Sequence, residues 1–204
     1  MMSKTHITVG VATSLAVCMP TTTGCILSAV IGGAVGGILC DIECKSTPVM
    51  RDAVYGRLIA AGVSGIVLAA DWFLKTGIWA SIFSQDKFSL ILGAAVLLIT
   101  CIIGRLSEHR TFTHSLLFVL LIDFGFFCIS PLLMVPVLAG GLSHLIIDTF
   151  NKKPVPWLYP IRKKGFCFNV CYASKIGNSI LMWAGFGACL ALLIWRIMII
   201  LGKV

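Results

Sequence analysis

The chain alternates long apolar stretches with short polar or proline-containing connections. A membrane helix needs about 20 mostly apolar residues. Five stretches meet or approach that length: residues 24–39, 58–83, 88–104, 132–147 and 180–201. Residues 7–19 and 116–130 are shorter candidates, and Pro20 and Pro131 follow them because proline does not continue a helix. The pattern predicts an all-α, polytopic membrane helical bundle of about 6–7 hydrophobic segments, forming one integral membrane domain over residues 1–204.

Composition supports a membrane protein. Of 204 residues, 58% are hydrophobic and 12% are charged, which is about half the charged fraction of a soluble domain. This balance excludes a water-soluble globule and a disordered chain. The net charge of +8 would indicate a nucleic-acid partner in a soluble protein. In a membrane protein it reports orientation instead, so we expect membrane lipids and no nucleic acid as partners.

The cations predict which side each loop occupies. If the N-terminus is cytoplasmic and seven segments cross, only Lys75, Lys87, Arg196 and Lys203 fall on the outer side or in spans. The other twelve of the sixteen Lys and Arg then lie in cytoplasmic loops. Such an excess is typical of cytoplasmic loops. The first segment stays open, since it either spans or forms a re-entrant or interfacial helix, and the side of the C-terminus depends on it.

Small residues fill the segment from Gly24 to Gly37. Small side chains at four-residue spacing let helices approach closely in a bilayer. The stretch predicts tight packing within the chain, with a homo-oligomer face as the alternative.

Potential metal ligands gather on the predicted cytoplasmic side. They come from residues 5–10, 39–45, 105–116 and 140–160, and they are His6, Asp41, Glu43, His109, His114, His144 and Asp148. The orientation was derived from Lys and Arg alone, so a random distribution would divide these seven between the two sides. The alternative is that each side chain only caps a helix end, but ionisable residues at membrane depth are commonly functional.

Spacing along the segments 105–116 and 140–160 refines this set. His144 and Asp148 are four residues apart, so they share one helix face. His109 and His114 are five apart and converge only if His109 lies in a loop and His114 opens the next helix, with Thr113 as its N-cap.

Asp41 and Glu43 are two residues apart. That spacing puts them on one side only in extended backbone, so we expect the preceding span to stop near Cys40.

Nitrogen and oxygen donors of this kind suit Zn, with Mn or Fe as alternatives. One or two ions of this divalent type would lower the pKa of bound water and polarise a carbonyl or phosphoryl oxygen. Asp41 or Glu43 would serve as ligand or as general base. Arg110 would offer positive charge to a phosphoryl oxygen, and Thr113 a hydroxyl.

Two further carboxylates, Asp71 and Asp123, fall in the other halves of their segments. We expect an interfacial position or, for Asp71, pairing with Lys75. The alternative is a proton or ion path across the membrane.

Several motifs resemble one known family. Residues 109–115 (HRTFTHS) resemble the HRGxTHS signature of the YdjM-like inner-membrane-associated metal-dependent hydrolases, and residues 140–148 resemble its GxxSHxxxD block. Residues 156–160 resemble its trailing LYP element, and His6 and residues 39–43 resemble its N-terminal histidine and LPDxD element. Departures are Thr111 for glycine, Cys40 for proline, Glu43 for aspartate and Cys44 where histidine is common.

The resemblance implies a multi-pass protein of the bacterial inner membrane with metal-dependent hydrolase activity. The family is distantly similar to zinc-dependent phospholipases C, which cleave phosphodiesters. We therefore expect cleavage of a phosphoester in a lipid or phosphorylated lipid, with the basic run at 162–164 attracting anionic headgroups. The alternatives are a ceramidase-like amide hydrolase, a metal or ion transporter, and a scaffold with a structural metal.

Overall fold

The computed structural model describes residues 2–44, 47–108, 110–170 and 176–202. Its eight α-helices are α1 (Ser3–Cys18), α2 (Thr23–Leu39), α3 (Thr47–Leu74), α4 (Ile78–Phe83), α5 (Lys87–Leu106), α6 (Leu116–Ile129), α7 (Met134–Thr149) and α8 (Ile176–Ile200). Short 3-10 turns occupy Cys40–Glu43, Phe112–His114 and Pro131–Leu133. The described residues contain no strand, only an isolated β-bridge between Val155 and Phe166. The all-α prediction is confirmed.

Five helices are long and apolar enough to cross a membrane: α2, α3, α5, α7 and α8. Helix α6 is a shorter apolar helix. Helix α1 has 16 residues and is therefore about 24 Å long. The predicted polytopic bundle with about 6–7 segments is confirmed, with α1 as the least apolar member.

Consecutive long helices run in alternating directions. Ser3 donates its backbone N–H to Asp52, so α1 and α3 begin at the same end of the bundle. Thr5 donates to Asn178 at the start of α8. Gly37, near the end of α2, packs on His6. We call the end where α1, α3, α6 and α8 begin and α2, α5 and α7 end the site end.

Helices α1, α2 and α7 form the centre of the bundle. In the most apolar windows of α2 and α7, 67% of the residues are buried, against 22% or less in α3, α5 and α8. A β-carbon on Gly36 would lie 2.3 Å from the backbone oxygen of Val137, and one on Gly33 would lie 2.7 Å from that of Gly10. The small-residue stretch thus packs against helices of the same chain. The predicted tight packing within the chain is confirmed.

The predicted segment 58–83 is two helices rather than one. Lys75 and Gly77 have φ angles of 50° and 119°, which end α3 and turn the chain into α4. Asp71 accepts hydrogen bonds from the backbone N–H groups of Ile78 (3.0 Å) and Trp79 (2.8 Å) and from Thr76. It therefore satisfies the exposed amides at the start of α4, a local role that the apolar pattern did not show.

The connection after α7 folds back onto the site end. Phe168 donates its backbone N–H to Thr149, and the bridge between Val155 and Phe166 closes the connection on itself. Leu116, the first residue of α6, donates its N–H to the carbonyl of Trp157. The family-like element at 156–160 therefore ties the start of α6 to the end of α7.

Candidate metal centre

Five side chains from four elements meet inside the site end. They come from the first turn of α1, the 3-10 turn after α2, the 3-10 turn before α6 and the last two turns of α7, and they are His6, Asp41, His114, His144 and Asp148. All five are buried. We call them the His/Asp cluster. The expectation that His144 and Asp148 share a helix face is confirmed.

Donor atoms of the cluster fall into two overlapping groups. In each of the trios His6–His144–Asp148 and Asp41–His114–His144, one ligand atom per residue lies within 4.8 Å of the others. The Nε2 atoms of His114 and His144 are 3.4 Å apart, and Asp41 Oδ1 lies 3.9 and 3.8 Å from them. Because His144 belongs to both groups, they form one continuous set of donors.

The outer nitrogens of two imidazoles are held by hydrogen bonds. His144 Nδ1 lies 2.8 Å from the carbonyl oxygen of Gly37. Since a carbonyl only accepts, Nδ1 carries the proton and Nε2 presents a lone pair to the cluster. His114 Nδ1 lies 3.1 Å from Glu43 Oε1. Such partners set the tautomer and ring orientation of metal-binding histidines.

Glu43 lies behind His114, outside both trios found among the described residues. Its carboxylate also accepts from the Thr113 hydroxyl and from the backbone N–H of Arg110. Thr113 Oγ1 is in addition 3.1 Å from His114 Nδ1. Glu43 and Thr113 are fully buried, so both support His114 from the side away from the cluster.

Charge on the cluster is set by its carboxylates. Burial alone would lower the pKa of His114, but hydrogen bonds to Asp148 and Glu43 raise that pKa to about 9. Burial raises the pKa of the Cys44 thiol to about 12. The thiol keeps its proton and donates to Asp41 at 3.9 Å, so Cys44 supports a carboxylate.

Arg110 lies at the rim of the cluster. Its guanidinium pairs with Asp148 and donates to the carbonyl of Lys153 at 2.7 Å. The side chain is 11% exposed, so the rim carries positive charge within reach of solvent. Asn151 Nδ2 donates to the other Asp148 oxygen at 3.1 Å.

His6 provides the test of whether a metal fits. Its ring stacks on His144 with centroids 3.7 Å apart, and neither ring nitrogen has a hydrogen-bond partner among the described residues. Nε2 lies 3.3 Å from Asp148 Oδ1. Burying an unpaired polar group is unfavourable. Three imidazoles and two carboxylates are the donors that Zn, Mn or Fe accept, so the residues present fit such an ion.

Six of the seven predicted ligands lie together at the site end, while His109 lies outside the described residues. Two local expectations were wrong. Helix α2 does end at Leu39, but Asp41 and Glu43 lie in a 3-10 turn and not in extended backbone. Ser115, and not Thr113, is the N-cap of α6, accepting from Phe118 N–H at 3.2 Å.

Two partners of the cluster were not predicted. Gly37 contributes a backbone carbonyl, which no side-chain pattern reveals. Asn151 is three residues after Asp148, and an i,i+3 spacing beyond a candidate ligand was the available signal.

These features define the chain as a polytopic α-helical membrane protein with a buried candidate metal centre at one end of its bundle. The family model described as YdjM inner membrane protein matches residues 1–202. The chain therefore belongs to the YdjM inner membrane protein family, as its motifs indicated. It is accordingly an inner membrane protein. No curated protein and no solved structure shows a significant match.

Proposed function

We propose that the chain is a membrane-embedded, metal-dependent hydrolase that cleaves a phosphoester of a lipid or lipid-like substrate at the cytoplasmic interface. The observation that carries the proposal is the His/Asp cluster, in which three imidazoles and two carboxylates are buried together at a helix-bundle end. In a purely structural core, burying His6 Nδ1 without a hydrogen-bond partner among the described residues would be unfavourable.

The proposal assigns a role to each residue. The ligands are His6, Asp41, His114, His144 and Asp148, with one or two ions of Zn, Mn or Fe drawing on the same set. A divalent ion held there supplies positive charge to a phosphoryl oxygen and lowers the pKa of water. Glu43 and Thr113 orient His114, and Arg110 brings its guanidinium to the substrate phosphate. His109 keeps its predicted role as a ligand.

Among the carboxylates around His114, Asp41 is the best candidate for the general base. Its side chain is 12% exposed, against 2% for Asp148 and none for Glu43. A base has to reach water as well as the reacting centre. Asp41 is therefore the carboxylate that lies in the cluster and is also open to water, so it serves as the base if it does not bind the metal.

The test compares metal content and hydrolysis in purified protein. We expect wild type to hold stoichiometric Zn, Mn or Fe, and we expect Asp148→Asn and His144→Ala to lose it together with phosphoester cleavage in phospholipid vesicles. Asp123→Asn is the matched control, since Asp123 is also a buried aspartate but lies in α6 outside the cluster. Purified wild-type protein without bound metal would contradict the proposal. Bound metal together with cleavage of amides but not of phosphoesters would support the ceramidase-like alternative.

One observation keeps a second candidate in view. Asp123 Oδ1 is buried without a hydrogen-bond partner among the described residues, and a metal or ion transporter needs polar groups beyond the cluster. Metal uptake into proteoliposomes that is lost in Asp123→Asn would favour transport. Bound metal with neither uptake nor hydrolysis would indicate a structural metal in a scaffold.

A further inference from the structure

A cavity of about 520 Å³ lies at the end of α7, under the connection that follows this helix. One wall is the last turn of α7, including Ile146 and Thr149, and the opposite wall is the folded connection with Trp157 and Phe166. Trp157 Nε1 donates to Thr149 Oγ1 at 3.1 Å. Thr149 directly follows Asp148, so the cavity and the His/Asp cluster share the end of α7.

The lining combines apolar side chains with two cations. Ile146 belongs to a candidate membrane span and is 49% exposed, so it faces lipid. Phe150 and Phe168 continue the apolar wall beyond the span. Arg162 and Lys164 also line the cavity, and none of the described lining residues is acidic.

Two of the three consecutive cations face this cavity. Arg162 and Lys164 line it, whereas Lys163 between them does not. If these cations only fixed the orientation in the membrane, it would not matter which of them face the cavity. A lining that joins apolar side chains, one of them in a candidate membrane span, with two cations matches a molecule with an acyl chain and a phosphate.

We infer that this cavity binds an anionic phospholipid, with an acyl chain along Ile146, Phe150 and Phe168 and its phosphate at Arg162 and Lys164. The absence of acidic groups from the described lining disfavours a zwitterionic headgroup, because nothing there pairs with its amine. This inference rests on the proposed function only in identifying the substrate as an anionic phospholipid. The binding itself is independent of metal.

Native mass spectrometry of the purified full chain, titrated with phosphatidylglycerol or phosphatidylcholine, tests the site. Each Lys or Arg near an anionic lipid contributes roughly fivefold in affinity. We therefore expect the double variant Arg162→Gln/Lys164→Gln to bind phosphatidylglycerol about 25-fold more weakly. The matched control, Lys153→Gln/Lys163→Gln, removes the same charge from exposed positions of the same connection that do not line the cavity, and we expect it to bind nearly as wild type does.

Three results would overturn the lipid site: equal losses in both double variants, no loss in either, or equally tight binding of phosphatidylcholine by wild type. Asp148→Asn separates this inference from the proposed function, because it should bind phosphatidylglycerol normally while losing metal and hydrolysis. Selective lipid binding by a wild type that cleaves no phosphoester keeps the site and rejects the hydrolase. Phosphoester hydrolysis by a wild type that binds both lipids equally well keeps the hydrolase and rejects the lipid site.

Discussion

His114 is the residue around which the candidate centre is organised. Its Nε2 faces His144 and two aspartates, while its Nδ1 faces Glu43 and Thr113. Glu43 thus reaches the cluster through an imidazole. An outer partner of this kind makes the ligand more basic and fixes its orientation.

Glu43→Gln should weaken metal binding about 10-fold to 100-fold without abolishing it, because the amide keeps the volume but loses the charge that supports His114. Competition with a chromogenic Zn chelator measures the affinity. Glu108→Gln is the control, since Glu108 is exposed and lies outside the cluster. Unchanged affinity in Glu43→Gln would show that Glu43 does not act through His114.

Asp71 and Asp148 show that two buried aspartates in similar sequence surroundings can have different roles. Both are buried aspartates in apolar helices. Asp71 binds two backbone N–H groups of α4, whereas Asp148 contacts two histidines and an arginine. Sequence placed Asp148 at the cytoplasmic end of its segment and Asp71 in the other half of the segment 58–83. It could not tell that one is a candidate ligand and the other caps a helix, because that depends on the partners each carboxylate meets in the fold.

At the scale of elements, the contact between α2 and α7 positions the cluster. Helix α2 leads into Asp41, and α7 carries His144 and Asp148. A β-carbon on Gly36 would lie 2.3 Å from Val137 O and 2.8 Å from Gly141 N, both backbone atoms that cannot rotate away. The distance between the two halves of the cluster is therefore set by glycine.

Gly36→Ala should destabilise the fold by about 1–3 kcal/mol through overpacking and should also weaken metal binding, because α7 has to move away from α2. Gly62→Ala in α3 is the control, since a β-carbon there meets nothing within 4 Å. We expect that variant to be neutral or stabilised by up to about 1 kcal/mol. Thermal unfolding in detergent and Zn titration measure both effects. Equal behaviour of the two variants would mean that the close approach does not position the cluster.

The 3-10 turn after α2 is the second element that matters. Three residues per turn place side chains two positions apart about 120° from each other. Asp41 and Glu43 consequently face different nitrogens of His114, whereas extended backbone would have aimed both the same way. The sequence predicted where α2 stops but not the turn that follows it.

At the scale of the whole molecule, the seven helices other than α4 run in alternating directions, which puts the two ends of the described chain at opposite ends of the bundle. Met2 donates to Asn178 at the start of α8, so the end of α8 lies far from the start of α1. Together with the excess of Lys and Arg in the loops of the site end, this arrangement predicts a cytoplasmic N-terminus and an external C-terminus.

Reporter fusions test that topology in intact cells. Green fluorescent protein joined before Met2 should fluoresce, and the same protein joined after Gly202 should stay dark, whereas alkaline phosphatase should show the opposite pattern. The reversed pattern would place the candidate centre on the outer side. Fluorescence from both ends would mean that one helix does not cross the membrane. The two shortest of the seven, α6 with 14 residues and α1 with 16, are then the candidates.

Sequence by itself determined the class of protein, the extent of most helices and the residues that gather at one end. These properties follow from local causes: apolar length, proline positions, small residues and the distribution of charge. Only the tertiary structure decided that α3 and α4 are separate, that Glu43 lies behind His114, and that a cavity with two cations lies at the end of α7. The last two depend on side chains and backbone groups far apart in the chain, which spacing along one segment does not encode. The first depends on a turn at Lys75 and Gly77 within one apolar stretch, which the hydrophobic pattern did not reveal.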